Sequence, residues 1–477
     1  VSYAQSGGQS KRAKTLRTPA AAARFRAREE NDRALWRAAG GGAAKQGRVR
    51  RRLFRPRRSL FMMRTAQAAR PGATPFRNRK NRSQERKTGM TNSSMSRRGL
   101  LRAGAGAGLA GAAGIGAGAG FAASVQAAMG KGSNEVSVMA DGSYATVPLK
   151  KDFITIAAVQ SRVRAVEMSN WKQGIKENLN HMLDLIDAAS GWTGPRDLLF
   201  FHEFPITGYD NVWNRQDILK FAIEVPGPET EAIGKKAKEL GTYIVFGSYA
   251  KDKDWPNHVL SLTTIVGPDG QVVDKHWKAR NIKGVLPVEL FTSTIYDCYD
   301  EYVEKYGLDN VIPVTRTDIG NLCTSSVQRE PELFRAFALK GCEIMLRTAT
   351  GGFTPEDIQI TSEYNNIYTV VCNNAVSPGN PNFIEDAGSG GSAIYGPNGD
   401  TIAKANSEHE TIVGTRIPIA DFRKRHKIPL VHWELYKDVW AKYTPRYPTG
   451  IFSEYLPTDV RDSAKYVATK DRWAKRG

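Results

Sequence analysis

From residue 153 onward, short apolar runs alternate with longer segments whose apolar positions repeat at helical spacing. Phe153 to Gln160 reads as a buried strand, and Ile175, Leu179, Met182, Leu183 and Ile186 then mark one face of an amphipathic helix. Leu198-Leu199-Phe200-Phe201 is a second apolar strand, running into His202 and Glu203. The turn Val225-Pro226-Gly227-Pro228-Glu229-Thr230 opens a helix through Leu240. Strands are predicted at Tyr243–Tyr249, at Val259–Val266 and, after the turn Pro268-Asp269-Gly270, at Gln271–Lys275. A second series follows: a strand through Ile319 and Leu322, a helix over Pro331–Leu339 and a strand over Gly341–Arg347. It continues with a helix over Ile360–Tyr368, a strand over Thr369–Asn374, a strand and turn over Ser389–Asp400, and a last core strand at Thr411–Ile417. This succession predicts a layered α/β domain with a mixed sheet.

Charge divides the chain. The formal net charge is +20, yet 27 of the 68 basic and 4 of the 48 acidic side chains lie in residues 1–100. The remainder holds 41 basic and 44 acidic groups. The basic character therefore belongs to the N-terminal segment, and nucleic acid is not expected as a partner of the globular part. Residues 1–89 lack a sustained apolar period and read as a disordered basic leader, or as sequence upstream of a start at Met90 or Met95. Residues 90–127 carry Arg97-Arg98, a weakly apolar Ala/Gly run from Ala103 to Ala123, and a small-residue end at Val125-Gln126-Ala127. That is the pattern of a twin-arginine export signal, which places the mature protein in the periplasm or outside the cell without a stable membrane anchor. Residues 128–150 read as a linker, 151–420 as the catalytic-type domain, and 421–477 as a C-terminal arm in which Trp433, Tyr436, Trp440 and Tyr447 stand among basic residues. Cys298, Cys323, Cys342 and Cys372 form no metal-type spacing, and no phosphate loop or dinucleotide fingerprint is present, so neither metal nor organic cofactor is expected. Cys342 and Cys372 lie in apolar strand contexts and are expected in the core.

Three strand ends carry the candidate chemistry. Glu203 ends the apolar strand with Phe200, Phe201 and Phe204 around it; a carboxylate in an apolar wall suits a general base. His202 beside it is expected to hold a neighbour by hydrogen bonding rather than to act as a base. Lys275-His276-Trp277-Lys278 ends a second strand with two ammonium groups. Ile319 to Glu332 turns from strand to helix through small polar residues, an elbow of the kind that exposes a nucleophile. Glutamate, lysine and elbow, in that order, resemble the nitrilase or carbon–nitrogen hydrolase superfamily from about Ile154 to about Ile419. The resemblance is greatest to its aliphatic amidase and formamidase members. It implies a four-layer α-β-β-α sandwich, a Glu general base at Glu203, an oxyanion-stabilising Lys at Lys278, a substrate-positioning carboxylate at Glu289, and a homo-oligomer of dimer size or larger. It also implies a small amide or nitrile-like substrate and an acyl-enzyme. Tyr209, Trp213 and Phe353 are candidates for pocket lining.

The nucleophile position does not read directly. Counting five residues from Ile319, or seven back from Pro331, reaches Thr324; elbows one residue shorter reach Ser325; neither count reaches Cys323. Strand side chains alternate faces, so a one-residue offset turns Cys323 away from a site that Thr324 faces. Thr324 is therefore expected in the cysteine slot, with Cys323 in the core. The alternative is a bulge that presents Cys323 as the nucleophile. Two functions stay open: an exported amidase-type hydrolase, or a protein of the same fold that binds a small amide or carboxylate without turning it over.

Overall fold

The structure, a computed structural model, describes residues 134–191, 194–285, 288–378, 380 and 388–474. The leader, the export signal and the start of the linker lie outside these residues. Two six-stranded mixed sheets stack face to face. The first has the order β12-β1-β2-β3-β4-β5, from β1 (Ile154–Gln160), β2 (Leu198–Phe201), β3 (Tyr243–Asp252), β4 (Trp255–Val266), β5 (Val272–Trp277) and β12 (Thr411–Ile417). The second has the order β11-β10-β9-β8-β7-β6, from β6 (Thr315–Thr317), β7 (Gly320–Ser325), β8 (Ile344–Thr348), β9 (Tyr368–Cys372), β10 (Ala393–Tyr395) and β11 (Thr401–Lys404). Both sheets repeat one pairing scheme. β1-β2-β3 and β7-β8-β9 are parallel, and each group is flanked by antiparallel neighbours.

The two-residue strand period sorts the side chains into layers. In the first sheet, Ile156, Ala158, Leu198, Phe200 and Val245 face the second sheet and meet Leu322, Ile344, Leu346 and Val370 in a dry inter-sheet core. Their neighbours Ala157, Val159, Leu199, Phe201 and Phe246 face outward. There they are covered by α1 (Trp171–Gly191) through Met182 and Ile186, by α2 (Arg215–Phe221) through Ile218 and Phe221, and by α3 (Pro228–Leu240) through Ile233 and Ala237. On the far side of the second sheet, α5 (Pro331–Leu339) packs Phe334 and Phe337 on Cys323 and Met345, and α6 (Pro355–Asn365) packs Ile358 on Val371. Between the two strand series stands α4 (Tyr299–Tyr306). The result is the four-layer α-β-β-α sandwich.

Two boundaries differ from the sequence reading. The helix expected at Ile360–Tyr368 starts at Pro355 and stops at Asn365; Asn366 takes a left-handed conformation and Tyr368 already belongs to β9. The arm drawn from 421 begins inside α7 (Ile419–Arg425), whose Ile419 and Phe422 join the inter-sheet core. The arm is also not wholly detached. Ile451, Phe452 and Val467 return to the outer face of the first sheet, while Leu430, Leu435 and Val439 stay exposed.

The α7 attachment rests on Glu343, fully buried before β8. Arg423 donates to both its oxygens at 2.7 Å, Tyr144 donates its hydroxyl at 2.9 Å, and the Asn321 amide donates at 2.8 Å. Arg423→Met strands that carboxylate without its cation. We expect it to cost about 3–5 kcal/mol in urea unfolding.

Candidate active site

Glu203, Lys278 and the elbow converge at the ends of β2, β5 and β7. Glu203 follows β2 where β3 runs alongside. Gly247 has no Cβ because one would lie 2.5 Å from the Glu203 Cα, so the close approach of these strands requires glycine there. The Gly247 amide donates to the His202 carbonyl, and the Phe204 amide donates to His202 Nδ1 at 3.1 Å. Burial pushes His202 down to about 3, so its ring is neutral and clamps the turn that carries Glu203. Lys278 Nζ lies 3.4 Å from Glu203 Oε1, both side chains nearly buried. Its backbone is tied on two sides, its amide to the Ser261 carbonyl and its carbonyl to the Ile295 amide. Lys275, the other lysine of the pair, points elsewhere, to Asp252 at 3.2 Å and to the Val225 carbonyl.

Along β7, Leu322 enters the inter-sheet core, Cys323 the core beneath α5, and Thr324 faces inward again. No bulge interrupts this alternation: Cys323 pairs with Met345, Thr324 with Leu346 and Ser325 with Arg347 in unbroken register. Cys323 is fully buried. Thr324, Ser325 and Ser326 line one small cavity together with Glu203, Lys278, Ser261, Thr263 and Thr348. Its volume is about 10 Å³, room for about one water molecule. The Thr324 hydroxyl lies 3.0 Å from His276 Nδ1, and Ser325 Oγ accepts the Val327 amide at 3.2 Å. Arg347 holds the elbow from beneath. It stacks 3.8 Å over the Phe334 ring, donates to the Val327 carbonyl at 2.6 Å and pairs with Asp357 at 2.9 Å. Arg280 ties the segment after Lys278 to the same elbow through Glu330 and the Gln328 carbonyl.

The other sequence candidates lie apart from this cavity. Glu289 accepts the Gly284 amide and donates its own amide to the Val460 carbonyl; burial raises its carboxyl above the usual range. Trp213 packs on Phe221 in the outer helical layer, Phe353 sits against Gly391, and Tyr209 stacks on Phe204. Tyr209 is the nearest of these to the site: burial, and then the Glu203 charge, push its phenol up to about 12. The residue that sequence reasoning missed is His276, treated there only as a spacer between the lysines. Among the described residues, no group of three or more His, Cys, Asp and Glu side chains is arranged to hold a metal, and no helix is long and apolar enough to cross a membrane.

A family model described as carbon-nitrogen hydrolase matches residues 155–427. The chain belongs to the carbon–nitrogen hydrolase family. Among its similar proteins is a formamidase of Helicobacter acinonychis, 25% identical over 241 residues, a match covering 49% of this chain and 65% of that protein. This chain thus spans less than two thirds of the formamidase's length. An omega-amidase of Xenopus tropicalis is 25% identical over 219 residues, covering 44% of this chain and 74% of that protein. Among solved structures, an amidase from Nesterenkonia sp. has a TM-score of 0.44 at 16% identity, covering 60% of this chain and 96% of that one.

Proposed function

We propose that this carbon–nitrogen hydrolase cleaves small, non-peptide amides through an acyl-enzyme. The observation that carries the reading is the Glu203–Lys278 pair, 3.4 Å apart on the wall of a small cavity that the elbow hydroxyls of Thr324, Ser325 and Ser326 also line. In such a site the Lys278 ammonium stabilises the oxyanion of a tetrahedral intermediate, and Glu203 acts as general base. Thr324 takes the nucleophile position; the Cys323 thiol is enclosed by Phe334, Phe337 and Met345 and is left to packing. Glu289 contributes by holding the loop after Lys278 through the Gly284 amide. The chain's similarity to a formamidase supports small acyl groups. The second reading, binding without turnover, draws on the same hydroxyls, since a threonine is a weaker nucleophile than a thiolate.

Formamide or acetamide hydrolysis, followed by ammonia release, separates the two. Lys278→Met is expected to lower turnover by about 10²–10³-fold, Glu203→Gln by a similar factor, and Cys323→Ala to leave it nearly unchanged. Ligand binding with no ammonia release from the wild type would favour the second reading.

The protein is read as exported, on the strength of Arg97-Arg98 ahead of the Ala/Gly run. N-terminal sequencing of periplasmic or secreted material is expected to begin after Ala127, and an Arg97→Lys, Arg98→Lys double variant to stay in the cytoplasm. It is also read as a homo-oligomer. Trp433, Leu435, Val439 and Trp440 lie exposed along the arm, next to a groove of about 530 Å³ that α5 and α6 line with Leu339, Ile360 and Tyr364. Sedimentation equilibrium at micromolar concentration is expected to give at least twice the chain mass; a single-chain mass excludes this.

A further inference from the structure

A second set of groups stands behind the Thr324 hydroxyl. His276 Nδ1 lies 3.0 Å from Thr324 Oγ1, and His276 Nε2 lies 3.2 Å from Asp274 Oδ2 and 2.8 Å from Thr315 Oγ1. The Thr315 hydroxyl donates to the same Asp274 oxygen at 2.6 Å. His276 is 1% exposed, enclosed between β5, β6 and β7. The tautomer follows from the partners. An ionised carboxylate accepts only, and the Thr315 proton is already committed to it, so Nε2 carries the imidazole proton. Burial works to raise the Asp274 carboxyl, but the His276 ring and the Thr315 hydroxyl overcome it and hold it below the usual carboxylate range. In the neutral ring Nδ1 is then a lone pair, to which the Thr324 hydroxyl, which lines the cavity with Glu203 and Lys278, donates.

We propose that Thr324, His276 and Asp274 form a hydroxyl–imidazole–carboxylate relay that makes Thr324 the nucleophile of this site. The proposal rests on the amidase reading above and assigns its first half-reaction. Thr324 Oγ attacks the amide carbon, a C–O bond forms, and the hydroxyl proton passes to His276 Nδ1. Asp274 stabilises the imidazolium through Nε2, and Lys278 neutralises the oxyanion. The intermediate collapses with cleavage of the C–N bond, and Nδ1–H protonates the departing nitrogen, so an amine or ammonia leaves and an acyl-threonine ester remains. Water cleaves the ester in the second half-reaction. Its proton goes to Glu203, the ester C–O bond breaks, Glu203 returns that proton to Thr324 Oγ, and the carboxylic acid leaves. Glu203 is thus relieved of activating a hydroxyl, a task for which a carboxylate alone is poorly matched, and serves the water and the Lys278 ammonium instead. His276 touches the reacting oxygen; Asp274 acts through His276 and is a positioning residue.

The test uses the full-length protein and p-nitrophenyl acetate, reading the nitrophenolate burst and mapping the acetyl group by peptide mass. Acetylation is expected at Thr324, retained in Thr324→Ser and lost in Thr324→Ala. His276→Gln is expected to slow the burst by about 10²–10⁴-fold. Asp274→Asn, which keeps the shape of the buried cluster, is expected to lower the burst rate without moving the half-saturating ester concentration, a split that a purely structural role does not produce. Should His276→Gln fail to fold, the Asp274→Asn and Thr324 variants still decide. An acetyl group on Ser325 or Cys323, or a burst on Thr324 indifferent to Asp274→Asn and His276→Gln, overturns the relay while formamide or acetamide hydrolysis keeps the amidase reading. Absence of both acetylation and amide hydrolysis overturns the two together.

Discussion

Both faces of each sheet are covered, and that constraint orders everything else. In a sheet with one wet face, a strand that slips by one residue exchanges core for solvent. Here it exchanges one core for another, the inter-sheet layer for the layer beneath the helices. Leu322, Cys323 and Thr324 show the consequence within three residues: an apolar contact with the first sheet, a thiol under α5, and a hydroxyl on the wall of the small cavity. The unbroken pairing of β7 with β8 leaves Cys323 no path to the cavity short of tearing the ladder. Cys323 thus lies one position from the cavity and faces the other way.

The same covering explains what could be read from the chain beforehand. Continuous apolar runs such as Ile154–Gln160 and Leu198–Phe201 announce strands buried on both sides, and the pairing of helices with strands announced the layers. The counts that pointed to Thr324 relied on elbow spacing and the strand period, both local, and the observed geometry has Thr324 on the cavity wall. Local pattern served less well where tertiary contacts decide. Ile367 and Tyr368 look like a continuation of the Ile360 helix face, yet the left-handed Asn366 ends the helix and hands them to β9. The arm was drawn from residue 421 as a separate segment. Phe422 and Phe452 nevertheless bury themselves in different cores, a fact available only from three dimensions. Tyr209, Trp213 and Phe353, the candidates for pocket lining, are not among the residues that line the cavity.

His276 is the instructive omission. Asp274 and His276 stand two residues apart, so the strand period puts them on one face, and Lys278 continues that spacing past the strand end. A polar strand residue buried as His276 is demands partners, because an unpaired polar group in such a place costs about 1–3 kcal/mol. That demand was legible. Its answer, Thr315 and Thr324, comes from the opposite sheet some 40 residues later and was not.

The repeated ladder of the two sheets carries a consequence for how the molecule is made. β1 is paired along its whole length, Ile154 with Ile417 through to Gln160 with Thr411, by the strand that comes last along the chain. A ribosome delivers β12 more than two hundred and fifty residues after β1, at about 5–20 residues per second. For that interval β1 is an open apolar edge, able to pair with whatever strand it meets. The outermost ladder of the first sheet closes only when nearly the entire domain has emerged, which makes folding late, cooperative and costly to interrupt.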